Sequence, residues 1–209
     1  MADFEGATID DIYKAFAYAE TGSGKNRFQP WIRTIGTEGQ QKGTVPGSDA
    51  YGPVQMLSSF VSGAAQQVTA EGKPMIDFSK EELAFIDRFK KQGEKFYKYG
   101  GTDMPEGGID PLTDKDVSMY GYGQIGDLSK TDRKLYESTA KKIMKYELKR
   151  VGGIYNLKRE WRHGPKKYRT GKEDTDYFHK FDKELRRVLK KKDTASMFPD
   201  ETLMENMLA

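Results

Sequence analysis

The segment from Ile9 to Glu20 constrains the fold more than any other part of the chain. Its apolar residues have the spacing of an amphipathic helix, at Ile9, Ile12, Tyr13, Phe16 and Ala17. Glu20 is the next residue on that apolar face, and the run Thr21-Gly22-Ser23-Gly24 ends the helix. Burial and the negative end of the helix dipole both favour a protonated carboxyl group. The pattern therefore predicts a general acid at Glu20.

A second segment, residues 48–57, places a lone amide side chain next to a turn. Its sequence is Ser48-Asp49-Ala50-Tyr51-Gly52-Pro53-Val54-Gln55-Met56-Leu57. The Gln55 amide both donates and accepts hydrogen bonds, which suits sugar hydroxyl and acetamido groups. The segment predicts a polar contact point beside the turn.

Composition limits the classes of protein that the chain can form. With 209 residues, of which 36% are hydrophobic, it can bury one core. It lacks any apolar run near 18 residues, so we expect no membrane span. The acidic N-terminus does not have the pattern of a signal peptide. With no Cys and two His, neither disulfides nor a metal site is expected.

Three short motifs together resemble the lysozyme-like lytic transglycosylases, in particular those that bacteriophage particles carry. Glu20-Thr21 is similar to the catalytic Glu-Ser/Thr pair of that family, and Gly52-Pro53-Val54-Gln55-Met56 to its Gly-x-x-Gln motif. The third motif is matched by Glu160-Trp161-Arg162-His163-Gly164-Pro165, where Trp161 takes the place of a Tyr. Ile154-Tyr155-Asn156 is a competing match that lacks the following Gly.

The resemblance implies a role for several residues. Glu20 would be the catalytic acid and base, and the family uses neither a cofactor nor a metal. The residues implied in substrate binding are Gln55, Tyr51, Gly52, Trp161, Thr21 and Tyr177. The implied substrate is the glycan strand of peptidoglycan, cut between N-acetylmuramic acid and N-acetylglucosamine. The implied location is a phage virion acting at the host cell wall in the periplasm, with tail or ejection proteins as partners.

The remaining segments predict a mainly α domain with one small β-element, and the resemblance implies that this is a lysozyme-like α+β fold. Capping patterns predict one helix after Ser79, with Leu83, Ile86 and Phe89 on its apolar face, and another from Ser129 or Thr131 to Gly152-Gly153. Residues 22–49 contain six Gly and the alternating run Trp31–Ile35, which predict a small β-hairpin. The resemblance implies that this hairpin lies beside a glycan cleft. We expect a catalytic domain at residues 1–192 and a docking or partner-binding tail at residues 193–209.

Other functions are compatible with parts of the sequence. A hydrolytic lysozyme would need a second carboxylate, for which Asp49 and Glu38 are the candidates. Residues 158–192 hold 14 Lys or Arg against six Asp or Glu, so a structural virion protein that contacts nucleic acid is the other alternative. Thr21-Gly22-Ser23-Gly24-Lys25 lacks the spacing of a phosphate-binding loop, which excludes that motif.

Overall fold

The computed structural model describes residues 4–21, 50–98, 128–163 and 175–197, and six helices form most of these described residues. In chain order they are α1 (Ile9–Glu20), α2 (Ser58–Ala65), α3 (Lys80–Lys98), α4 (Lys130–Val151), α5 (Ile154–His163) and α6 (Thr175–Met197). Extended pairing within those ranges is limited to two antiparallel bridges, Tyr51 to Met56 and Val68 to Pro74. The prediction of a mainly α protein is confirmed. The hairpin predicted within residues 22–49 lies outside the described residues.

Side-chain caps determine where three of the helices begin. Before α1, Thr8 Oγ1 accepts a hydrogen bond from the Asp11 amide, and the Asp11 carboxylate accepts one from the Thr8 amide. Before α3, Ser79 and Glu82 exchange the same two bonds, at 3.2 and 2.7 Å. Ser129, the first of the two predicted starts, caps α4. These reciprocal bonds satisfy amides that the first helical turn leaves unpaired.

The apolar face of α1 faces the centre of the core, as its spacing predicts. α1 packs against α6 and α4, α2 against α3, and α4 against α3 and α5. Phe16 is fully buried, with its ring centroid 4.6 Å from that of Phe181 and 5.1 Å from that of Trp161. None of the helices that the structure describes combines the length and apolar character needed to cross a bilayer.

One prediction about the helices is wrong in detail. Leu83 is 45% exposed, and the buried face of α3 is formed by Phe85, Ile86 and Phe89 instead. Ile86 and Phe89, three residues apart, can share a buried helix face with either Leu83 or Phe85. The helical spacing alone therefore does not decide which of these two residues is buried. Helix α6 ends at Met197, and the division into a domain at residues 1–192 and a tail at residues 193–209 stays a prediction.

A buried ion pair links the start of α1 to the last part of α6. The Asp11 side chain is 1% exposed, and it accepts hydrogen bonds from Lys192 and from Thr8. Burial acts to raise the pKa of Asp11, but these hydrogen bonds outweigh it and hold the pKa below its usual value. The pair therefore adds stability as long as the carboxylate is ionised.

Candidate active site

The predicted contact segment folds into a closed turn, residues 51–56, which we call the Gln loop. Tyr51 and Met56 exchange backbone hydrogen bonds of 3.0 and 3.1 Å, and the backbone N–H of Gln55 donates to the Gly52 carbonyl at 3.0 Å. Gln55 has a positive φ of 49°, and its side-chain Nε2 donates to the Gly52 carbonyl at 2.9 Å. A left-handed residue other than Gly is uncommon, and such strain occurs often in functional loops.

Tyr136 of α4 supports the Gln loop from inside the core. Its side chain is fully buried, and its hydroxyl donates to the Tyr51 carbonyl at 2.6 Å. The Tyr136 ring also lies directly against Gly52, where an added Cβ atom would stand 2.5 Å from Tyr136 Cζ. Gly52 has a φ of +79°, which favours Gly as well. The first residue of the Gly-x-x-Gln motif is therefore required by both backbone conformation and space.

Two further side chains hold the outer part of the Gln loop. Thr21 Oγ1 lies 3.1 Å from the Pro53 carbonyl and 3.0 Å from the Ala17 carbonyl, so it shares its proton between the loop and α1. Trp161 of α5 donates from Nε1 to the Val54 carbonyl at 3.0 Å. Together with Tyr136, these residues bond three carbonyls of the loop, those of Tyr51, Pro53 and Val54, from three different parts of the fold.

Glu20 lies beside this arrangement as the last residue of α1, and it is half-buried. The adjacent Thr21 contacts Pro53 directly, so the backbone of Glu20 is held next to the Gln loop. Trp161 contacts the Gln loop from α5 and packs edge-on against Phe60, 5.6 Å between ring centroids. The structure thus brings together residues from all three sequence motifs.

The two candidates for the third motif have different surroundings. Asn156 uses its Nδ2 to donate to the Val151 carbonyl at 2.8 Å, which caps the end of α4, and Tyr155 is 41% exposed. Trp161 contacts the Gln loop through Val54. The geometry therefore favours Trp161 as the residue of the third motif. Gly164 and Pro165, which complete that motif, lie outside the described residues.

Four of the predicted substrate-binding residues are buried, which changes their assignment. Tyr51, Gly52, Thr21 and Tyr177 are all within the core, with Tyr177 packed against Phe178. Buried residues of this kind support the loop and α6, and this conformation offers them no direct contact with a substrate. Among the predicted site residues that the structure describes, Glu20, Gln55 and Trp161 are the ones that are partly exposed.

An open groove of about 870 Å³ extends from Gln55 and Trp161, and we call it the Trp161 groove. Its other lining includes apolar residues of α2 and the following turn, among them Phe60, Ala64 and Met75. Four charged residues also line it, Glu147 and Arg150 of α4 and Glu160 and Arg162 of α5. Sequence reasoning missed this charged cluster, although Glu160 directly precedes Trp161.

Asp49 and Glu38, the candidates for a second carboxylate, lie outside the described residues, as does the predicted hairpin.

Within the ranges that the structure covers, no group of acidic and His side chains could hold a metal ion. No family model, curated protein or solved structure matches this chain. The case for a function therefore depends on the motifs and on the geometry of the site.

Proposed function

We propose that this protein cleaves the β-1,4 bond between N-acetylmuramic acid and N-acetylglucosamine in peptidoglycan, as a lysozyme-like lytic transglycosylase. The observation that carries the proposal is that Thr21, the residue directly after Glu20, and Trp161 both hydrogen-bond the Gln loop, which brings parts of the three motifs to one place. These residues are separated widely in sequence, and the resemblance names them independently of the structure. Their proximity is what a glycan cleft with one catalytic carboxylate requires.

In this mechanism Glu20 acts twice. It first donates its proton to the glycosidic oxygen as the bond to the departing sugar breaks, which leaves an oxocarbenium-like muramic acid residue. The Glu20 carboxylate then takes the proton from the C6 hydroxyl of the same residue, whose oxygen closes on C1. The products are a chain with a 1,6-anhydro end and a chain with a new hydroxyl group, and no water is consumed.

The Gln loop would present Gln55 to the sugar while its carbonyls remain fixed by the three helices. A loop held in this way is pre-organised, so little ordering is needed when the glycan binds. Trp161 would form part of the cleft next to Gln55, since both residues line the same groove. Delivery by a phage particle, with tail or ejection proteins as partners, would bring the enzyme to the wall in the periplasm.

Substitution of Glu20 by Gln tests the proposal directly. Glu20→Gln keeps the size of the side chain but removes the acid, so we expect wall cleavage to fall by at least about a hundredfold. The same substitution at the exposed Glu5 is the matched control and should leave cleavage unchanged. Far-ultraviolet circular dichroism should show that both variants keep their helices.

Mass spectrometry of fragments released from purified peptidoglycan identifies the reaction. Ends with a 1,6-anhydro ring, lost in Glu20→Gln, would support the transglycosylase. Reducing ends would instead support a hydrolytic lysozyme and direct attention to Asp49 and Glu38. Full activity in Glu20→Gln would contradict the assignment of the acid.

One observation favours a second candidate, a virion protein that binds nucleic acid. Helix α6 presents exposed cationic side chains, including Lys183, Arg186 and Lys191. A cationic helix face attracts a polyanion, and the affinity then falls steeply with salt. Salt-sensitive DNA binding that persists in Glu20→Gln, without any wall fragments, would favour this function over the enzyme.

A further inference from the structure

The Trp161 groove contains buried charges that the proposed cleavage does not use. Glu147 and Glu160 have side chains that are each 4% exposed, although both are acidic residues. Arg150 lies between them, where its Nε donates to Glu147 Oε2 at 2.5 Å and its Nη2 donates to Glu160 Oε1. Carboxylates are rarely buried unless they are paired, so this cluster needs an explanation.

The pairing in the cluster is incomplete. Glu160 Oε2 is buried and has no hydrogen-bond partner among the residues that the structure describes. Burial raises the pKa of Glu147 above its usual value, because Arg150 only partly offsets the loss of solvent and the charge of Glu160. Two carboxylates therefore share one guanidinium, and one carboxylate oxygen remains without a donor.

The other cation of the groove does not balance this excess. Arg162 is exposed, and its guanidinium lies over the ring of Tyr177, 5.1 Å from the centroid. The buried charge in the groove is thus negative, and the remaining lining is mostly apolar, with Leu57, Phe60 and Val68 among its members. A ligand that fits both features has an apolar stem and a cationic hydrogen-bond donor at its tip.

We propose that the Trp161 groove binds a primary ammonium group carried on an alkyl chain and that Glu160 receives it. The ammonium group supplies the donor that Glu160 Oε2 lacks, and it neutralises the excess of buried negative charge. The alkyl chain lies along the apolar lining between the charged cluster and Trp161. Because the groove begins at Gln55, this site adjoins the place where the glycan would bind.

The source of the ammonium group rests on the proposed function. A peptidoglycan strand carries peptides that include a diamino acid, and the side-chain amine of such a residue has the required alkyl chain. A de-N-acetylated sugar also carries an amine, but its ring is polar and does not match the apolar lining. We therefore assign the groove to the peptide side chain, so that the enzyme would recognise peptide-bearing strands.

Calorimetric titration of the full chain with four soluble probes tests this. They are a muramyl tripeptide ending in lysine, the same molecule with its Nζ acetylated, the same molecule with its Nζ succinylated, and a glucosamine tetrasaccharide. We expect the free lysine probe to bind about tenfold more tightly than the acetylated one, and the anionic succinylated probe to bind most weakly. Because no cleavage is measured, this ranking does not depend on catalysis.

Each other outcome overturns the proposal. Equal affinity for the lysine and acetylated probes would show that the charge is not recognised, and tightest binding of the succinylated probe would make the groove an anion site. Binding of the glucosamine tetrasaccharide as tight as that of the lysine probe would remove the need for an alkyl chain. Absence of binding by all four would leave no ligand site.

Two matched variants test whether Glu160 is the residue that causes the preference for the free lysine probe. Glu160→Gln should lose the preference for the free lysine probe, while Glu137→Gln, which changes a residue of a separate groove on α4, should keep it. Retention of the preference in a folded Glu160→Gln protein would refute the role of Glu160. Failure of the proposed function is recognised separately, because wild-type protein would then release no fragments from peptidoglycan whatever the ranking of the probes.

Discussion

The close contact between Gly52 and Tyr136 allows one prediction to be worked out in detail. Replacement of Gly52 by Ala changes two things, the preferred backbone conformation and the space against the ring. A left-handed conformation is unfavourable for Ala by about 1–2 kcal/mol. The added Cβ atom would stand 2.5 Å from Tyr136 Cζ, so the ring or the loop must move, and overpacking of this kind costs about 1–3 kcal/mol. The free energy of unfolding should therefore fall by about 2–5 kcal/mol.

The chain offers two controls that separate these contributions. Gly72 has nearly the same φ, +78°, but nothing lies within 4 Å of a Cβ atom there, so Gly72→Ala should lose only the conformational part. Gly63 lies in α2 with equally open surroundings, and Gly63→Ala should gain about 0.5–1 kcal/mol. Urea unfolding followed by circular dichroism measures all three. If Gly52→Ala loses no more stability than Gly72→Ala, the argument from close packing is refuted.

Two further predictions concern contacts that hold the helices and the Gln loop. Trp161→Phe removes the donor to the Val54 carbonyl but keeps an aromatic ring, so urea unfolding should show a loss of about 1–3 kcal/mol; an unchanged midpoint would mean that the bond is dispensable. The pKa of Asp11 is lowered on folding, so its contribution is present above the usual carboxyl pKa of about 4 and is lost as the pH falls through the lower, folded value. Asp11→Asn should therefore have a smaller fall in urea midpoint than wild type between about pH 6 and pH 2, and parallel curves would contradict this.

The parts of the fold that local rules determine could be predicted from the sequence. α1 begins after Thr8 because the cap involves Thr8 and Asp11, three residues apart, and it ends at Glu20 because the helix-stopping run Thr21-Gly22-Ser23-Gly24 follows in the sequence. α4 ends before Gly152 for a similar local reason. Patterns within one turn of helix contain enough information for such boundaries.

Contacts between distant segments could not be predicted in this way. The motif identified Gly52, but nothing local indicates that the Tyr136 ring fills the space beside it. The motif also does not determine where side chains point, and Tyr51 and Thr21 proved to be buried supports of the loop. Glu160 was missed because a charged residue on a polar helix is usually solvated, whereas here Arg150 from another helix makes its burial possible.

The three bonds to the Gln loop carbonyls also have a consequence for cooperativity. They join residues that are 32, 85 and 107 positions apart in the chain. Contacts of such long range form only when the chain has adopted its overall topology, since loop closure must come first. A local opening that frees the Gln loop must break contacts with several helices at once, so its amides should exchange with solvent only by global unfolding. The Met56 amide, at the closing bridge of the loop, is therefore a reporter of the stability of the whole protein.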